Sequence, residues 1–172
     1  IKLKKILVIL PTYNESKNIE RLYFLLKKVN LKLSYLFIDH GSIDGTLTII
    51  KSIKKKFPKN VFLITKKIRE GIGKAHKDGL KWSYKKNYDL VITMDTDLAH
   101  HPKYIKNLIF KSKNFDLVVG SRYLKKKSMT NWSWFRILLS NSAHFMSFIL
   151  FNVTHDTTNS FRCYNLKKIN KN

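Results

Sequence analysis

The sequence predicts an α/β protein built on a mostly parallel sheet flanked by helices. Short apolar runs rich in β-branched residues alternate with stretches whose apolar residues recur at helical spacing. Each run ends in a polar or glycine-bearing loop, the strand–loop–helix pattern that right-handed crossovers require. A length of 172 residues with 44% hydrophobic content suits one domain with a real core. In such a sheet the loops that follow the strands face one crevice, where open α/β sheets bind ligands.

The opening IKLKKILVIL reads as a first strand over Ile6–Leu10, not as a leader. Pro11-Thr12-Tyr13-Asn14-Glu15 follows, with Asn14 as the expected N-cap, and Ile19, Leu22, Tyr23, Leu26 and Val29 mark a helical face. Tyr35–Asp39 is the second strand. Its loop, Asp39 to Thr46, holds two glycines and a capping Asp44, and Leu47, Ile50 and Ile53 begin the next helix. Val61–Thr65 is the third strand, leading through Arg69-Glu70-Gly71-Ile72-Gly73-Lys74-Ala75 into a helix to about Asn87. As a phosphate loop that stretch is weak, because no Gly-Lys-Ser/Thr follows.

Leu90, Val91, Ile92 and Met94 form a buried strand that delivers Asp95 and Asp97 to its carboxyl-end mouth. Two such charges about 6–7 Å apart repel by roughly 2–3 kcal/mol at an effective dielectric near 20. A divalent cation reverses that sign, and hard oxygen ligands suit Mg²⁺ or Mn²⁺. The competing reading is a strand-end turn in which Asp97 caps a helix. Pro102 then opens a helix with Tyr104, Ile105, Leu108 and Ile109 on its buried side, His100 and His101 being its start. Asp116–Gly120 is a further strand, closing with Gly120-Ser121-Arg122.

From Trp132 to Phe151 the chain is mostly apolar, interrupted by Arg136, Asn141 and His144, and its short apolar runs make a poor transmembrane span. On a helix, Arg136, Ser140, His144 and Ser147 form one polar stripe amid aromatic residues. Such a helix packs on the sheet or lies in a membrane interface, and both can hold. Lys125, Lys126 and Lys127 precede it. A buried or interfacial Arg136 needs an anion, and the nearest acidic residues in sequence, Asp116 and Asp156, are distant.

The 34 Lys+Arg against 11 Asp+Glu give a net charge of +23. That field favours an anionic partner, although abundant Lys, Asn and Ile also fit a compositionally biased genome. A nucleic-acid-binding module is disfavoured: the basic residues are scattered over all elements and no nucleic-acid-binding signature is present. The single Cys163 excludes an internal disulfide.

In order and spacing, PTYNE, D-x-GS-x-DGT, R-x-G-x-G-x-A, MDTDL and VVGSRY resemble the family 2 glycosyltransferases of GT-A fold. The closing HDTTNSFRCY resembles a segment of the dolichol-phosphate mannosyltransferases, and the likeness runs from about Lys4 to Tyr164. The resemblance implies transfer of a sugar, mannose from GDP-mannose first, to a dolichyl or polyprenyl phosphate, with a UDP-glucose-type donor as the alternative and a degenerate, non-catalytic relative as a further one. It implies that Pro11, Tyr13, Glu15, Phe37, Asp39, Asp95, Thr96, Asp97 and Arg122 bind the nucleotide sugar. Asp95 and Asp97 would hold Mg²⁺ or Mn²⁺, and Arg122, Arg136 and Ser140 the acceptor phosphate. Asp97, Arg122 and Arg136 would carry catalysis, with inversion at the anomeric carbon.

Three positions depart from the family pattern: His40 for a second Asp, Ala99 for a Gln or Ser near the metal, and Asn159 for a Gly. The implied organisation is a single domain, residues 1–172. A nucleotide-sugar-binding core of 1–123 precedes an acceptor- and membrane-facing segment of 124–172, shorter than the family's usual C-terminal continuation. The expected location is peripheral, on the cytoplasmic face of a membrane.

Overall fold

The computed structural model describes residues 4–121 and 159–169, together with residues 139, 142, 145, 146 and 148–150. The elements run β1 (Ile6–Thr12), α1 (Ser16–Lys28), β2 (Leu33–His40), α2 (Thr46–Lys56), β3 (Val61–Lys66), α3 (Ile72–Lys85) and β4 (Leu90–Thr93). A 3₁₀ turn (Pro102–Tyr104), α4 (Ile105–Lys111), β5 (Leu117–Val119) and β6 (Arg162–Asn165) follow.

The strands form one sheet in the order β3-β2-β1-β4-β6-β5. β1, β2, β3 and β4 pair in parallel, whereas β6 lies antiparallel between β4 and β5. The expected mostly parallel sheet is therefore present, with a strand that the sequence reading left out. The signal for β6 was there: Phe161, Cys163 and Asn165 are buried and alternate with half-exposed Arg162 and Tyr164, the period of a strand. Because β6 sits inside the sheet, the core extends past residue 123 into the C-terminal segment.

The central strands bury both faces, which explains their unbroken apolar runs. Val8, Leu10, Tyr35, Phe37 and Ile92 pack towards Ile19, Leu22 and Leu26 of α1, Ile50 of α2 and Ile105 of α4. Leu7, Ile9, Leu36, Ile38 and Val91 pack on the other face with Ala75 of α3, Tyr88 and Leu166. Along α3 the buried residues are small, namely Ala75, Gly79 and Ser83 at four-residue spacing, so this helix lies close against the sheet. A Cβ on Gly79 would stand 2.7 Å from Ile9 Cδ1 and 3.0 Å from Ile38 Cδ1.

Burial also sets a response to alkali. Tyr35 is 3% exposed, and its phenol is pushed from the ordinary 10.0 up to about 12 by burial, with the charge of Tyr23 adding. Its ring meets that of Tyr23 edge-on at 5.4 Å. A folded pKa above the unfolded value means stability fully present below pH 10 and lost as pH rises towards about 12. The slope is about 1.4 kcal/mol per pH unit for one group. Cys163, pushed by burial from the ordinary 9.0 up to about 11, adds a loss of the same sign that begins lower, as pH rises from 9 towards about 11. Denaturant titrations at pH 9, 11 and 12 should show this decline, and Tyr35→Phe should flatten it. Identical pH slopes for the two proteins would assign the loss elsewhere.

Candidate active site

The loops after β1, β2, β3 and β4 converge on a crevice of about 280 Å³. Pro11 and Thr12 line it from the end of β1, Tyr13 and Glu15 from the loop that follows, His40 from the end of β2, and Asp95, Thr96 and Asp97 from the loop after β4. Arg69, Gly71, Ile72 and Ala75 close the remaining side, from the β3–α3 loop and the start of α3.

The acidic end is built by partners far apart in sequence. Ser160 Oγ donates to Asp95 Oδ2 at 2.6 Å, and the Asp95 amide donates to His100 Nδ1 at 3.3 Å. His100 in turn stacks on Phe161 with ring centroids 5.2 Å apart. It is thus part of the support for Asp95, not simply a helix start. The capping role falls to His101, whose Nδ1 accepts from the Lys103 amide at the 3₁₀ turn. Asp97 is exposed and does not cap that turn; its Oδ1 accepts from the Ala99 amide at 2.9 Å. Between them Leu98 is held at φ 64, a left-handed conformation that costs a non-glycine residue about 1–2 kcal/mol. Thr96 ties the loop to the first strand by donating to the Pro11 carbonyl.

One carboxylate oxygen of the pair, Asp95 Oδ1, is buried without a hydrogen-bond partner. Such a group costs about 1–3 kcal/mol or more unless something binds it. Hard oxygens with an orphaned carboxylate fit a divalent cation. Among the described residues no cluster of three His, Cys, Asp or Glu could hold one alone. A cation here would complete its shell with ligand phosphates and water, as Mg²⁺ commonly does. Nearby on α3, His76 Nε2 is also buried and unpartnered. Burial pushes His76 below the ordinary imidazole range, Asp95 opposing that shift and Arg162 adding to it.

The first two loops are laced together. Asp44 accepts from the Thr46 amide and hydroxyl and, with its other oxygen, from the Ser16 amide at 3.0 Å. The Thr46 hydroxyl accepts from the Glu15 amide at 2.8 Å. These bonds hold the Asp44 carboxyl far below the usual carboxylate range, the Thr46 hydroxyl contributing most. Asp44 thereby serves the first turns of both α1 and α2. Asn14 is not the N-cap that its position led us to expect; Glu15 is. Asn14 sits at φ 55, donates its backbone amide to Ser42 Oγ and accepts from the Ile43 amide at its side-chain Oδ1, so its side chain is committed to the neighbouring loop.

The crevice gathers six of the sequence-predicted residues: Pro11, Tyr13, Glu15, Asp95, Thr96 and Asp97. Phe37 is not among them. It is fully buried in the α1/α2 core, because its strand position points to that face of the sheet, and its side chain does not line the crevice. Asp39 lies just behind the crevice, 1% exposed, its carboxylate accepting from the Ser42 amide and hydroxyl. Arg122, Arg136 and Ser140 lie outside the described residues. Arg69 was missed as a site residue although it heads the R-x-G-x-G-x-A stretch; its guanidinium lies 4.3 Å over the Tyr13 ring. Ala99 contributes its backbone amide in place of a side chain. Asn159 is not in the left-handed region. It donates from its side chain to the Gly120 carbonyl and accepts from the Phe161 amide, and so fastens β6 to the loop after β5.

A mostly parallel sheet with a carboxyl-end crevice, acidic at one end and aromatic and cationic at the other, is the arrangement in which open α/β proteins bind ligands. The profile of glycosyl transferase family 2 matches residues 7–171, and the chain belongs to that family. It is 31% identical over 170 residues to polyprenol monophosphomannose synthase of Mycolicibacterium smegmatis, covering 98% of this chain and 64% of that protein. It is 35% identical over 142 residues to dolichol-phosphate mannosyltransferase of Pyrococcus furiosus, covering 81% of this chain and 39% of that one. The chain thus spans less than two thirds of the length of either relative. Glucosyl-3-phosphoglycerate synthase from Mycobacterium tuberculosis, solved with UDP, shares the fold with a TM-score of 0.67 at 18% identity, over 95% of this chain and 57% of that chain. The same enzyme solved with Mn²⁺, UDP and glucosyl-3-phosphoglycerate gives a TM-score of 0.62 at 19% identity, with the same coverage.

Proposed function

We propose that this chain carries the donor site of a glycosyltransferase that passes mannose from GDP-mannose to a polyprenyl or dolichyl phosphate, with inversion. The observation that carries the reading is the orphaned Asp95 Oδ1 beside Asp97 in the crevice of a family 2 chain. The two mannosyltransferase relatives support the choice of donor and acceptor.

In this reading Asp95 and Asp97 hold Mg²⁺ or Mn²⁺, which when bound offsets negative charge on the donor diphosphate. Tyr13, Glu15 and Thr96 face the nucleotide. Arg122 faces the phosphates, and its fixed cation stabilises charge that develops as the nucleoside diphosphate leaves. Arg136 and Ser140 hold the acceptor phosphate. One of that phosphate's oxygens attacks the anomeric carbon as the bond from that carbon to the diphosphate oxygen breaks. The acceptor is already an anion, so no strong general base is needed. The product is a β-linked lipid phosphosugar.

We further place the protein at a membrane surface, on the cytoplasmic side. Leu139, Phe145, Met146, Phe148, Ile149 and Leu150 are helical and about half or more exposed, which supports an apolar contact there. Among the described residues no helix is long and apolar enough to cross a membrane.

The test is a donor screen on the purified protein with polyprenyl phosphate, with and without Mn²⁺. Mannosyl transfer from GDP-mannose that requires Mn²⁺ is expected. Transfer from UDP-glucose alone would replace the donor assignment, and binding of no nucleotide sugar would make the chain a non-catalytic relative.

A further inference from the structure

The two ends of the crevice offer different chemistry. Asp95 and Asp97 follow β4, whereas His40 ends β2, and β1 lies between them in the sheet. Two strand spacings separate the ends by roughly 10 Å. A nucleoside diphosphate has the same polarity, with phosphates at one end, a ribose between and a base at the other. A ligand with its phosphates at the acidic pair extends its base towards β2 and the β3–α3 loop.

At that end stand the Tyr13 ring, 37% exposed, the Arg69 guanidinium above it, and His40. Ring and guanidinium offer stacking, which hardly discriminates between bases. Hydrogen bonds discriminate, and the neighbouring polar side chains already have partners. Thr12 Oγ1 donates to the Leu10 carbonyl, Glu15 Oε2 accepts from Asn18, and Asp39 accepts from Ser42. His40 differs. It is 3% exposed, it lines the crevice, and its Nε2 is buried with no hydrogen-bond partner. A buried polar atom without a partner calls for one, and at a crevice wall a ligand atom can supply it.

We infer that His40 reads the nucleobase of the donor, its Nε2–H donating to an exocyclic carbonyl oxygen, and so sets which nucleoside diphosphate the chain prefers. Guanine and uracil carry such an oxygen and adenine does not. A carboxylate at this position could only accept a hydrogen bond, so the imidazole changes the polarity of the contact. The inference rests on the proposed donor site and deepens it.

The experiment is calorimetric titration of the full chain, with Mn²⁺, against GDP, UDP, ADP and inorganic pyrophosphate. Wild type should bind GDP or UDP at least about tenfold more tightly than ADP, the range of one discriminating hydrogen bond. His40→Ala should erase that preference and leave pyrophosphate affinity unchanged. His40→Gln, whose amide nitrogen reaches the Nε2 position, should restore most of it. His40→Asn, whose amide reaches only the Nδ1 position, should behave like Ala while keeping a polar side chain in the fold. If the wild-type ranking of the three nucleotides persists in His40→Ala and His40→Asn, the inference is overturned and the donor site stands. If wild type binds none of the three, the inference and the proposed function fall together.

Discussion

Asp95→Asn and Asp97→Asn should each lower Mn²⁺-dependent affinity for nucleoside diphosphate by about a hundredfold or more, beyond the 10–100-fold typical of a residue that only supports a ligand. Asparagine keeps the shape of aspartate and one acceptor oxygen. The Ser160 hydroxyl bond to residue 95 and the Ala99 amide bond to residue 97 can therefore survive the change. What disappears is one of two negative charges, together with the reason for the buried Oδ1 to be there. Without metal each substitution removes a like-charge repulsion of up to about 2–3 kcal/mol, reduced by the exposure of Asp97. The metal-free melting temperature should then stay level or rise slightly. GDP titrations with and without Mn²⁺, beside thermal melts in chelator, separate these effects. Unchanged metal-dependent affinity in both variants would remove the cation from this site.

The second large effect belongs to α3. Gly79→Val should destabilise the fold by about 3 kcal/mol or more, the upper range for overfilling a tight core. That corresponds to roughly 6–12 °C in melting temperature for a chain of this size. The added atoms would press on Ile9 and Ile38, both fully buried and stiff at their branched Cβ. Relief requires α3 to move off the sheet, and its first turn carries Ile72 and Ala75 of the crevice wall, with Gly71 just before it. Nucleotide affinity should fall with stability. Gly73→Ala is the matching control: a Cβ there meets nothing within 4 Å, so helix propensity alone predicts a gain of up to about 1 kcal/mol. A Gly79→Val protein as stable as wild type would show that the core has room that the packing does not reveal.

The parallel half of the sheet was legible because strands buried on both faces are apolar at every position, as in Leu7 to Leu10 and Tyr35 to Ile38. The placement of the acidic pair was legible for a related reason: an apolar strand delivers the residues that follow it to the carboxyl edge of the sheet, where Asp95 and Asp97 line the crevice. The burial of the Phe37 side chain was not legible, because an unbroken apolar run hides which face a residue takes. Asn14 was misassigned because loop-to-loop bonds outcompeted a local cap, and those partners lie 28–29 residues away. His100 was read as a helix start because its role depends on Phe161, which β6 brings beside it. Arg69 stood in a motif whose glycines drew attention away from it.

The antiparallel strand has a consequence for the order in which the molecule is made. β4 is one of the central strands, yet one of its two neighbours is β6, more than 65 residues later, and β5 pairs with β6 alone. The ribosome delivers β1 to β4 early, and each finds a parallel partner soon after it emerges. β4 must then wait with one edge unpaired, and β5 with both, until Arg162–Asn165 have been synthesised. Ser160, which secures Asp95, arrives with that strand. Closure over such a sequence separation is slow, and exposed strand edges invite pairing with other chains in the meantime. The acidic site is thus completed by nearly the last described residues to be translated, and the nascent chain's exposure to aggregation is set by the interval between β4 and β6.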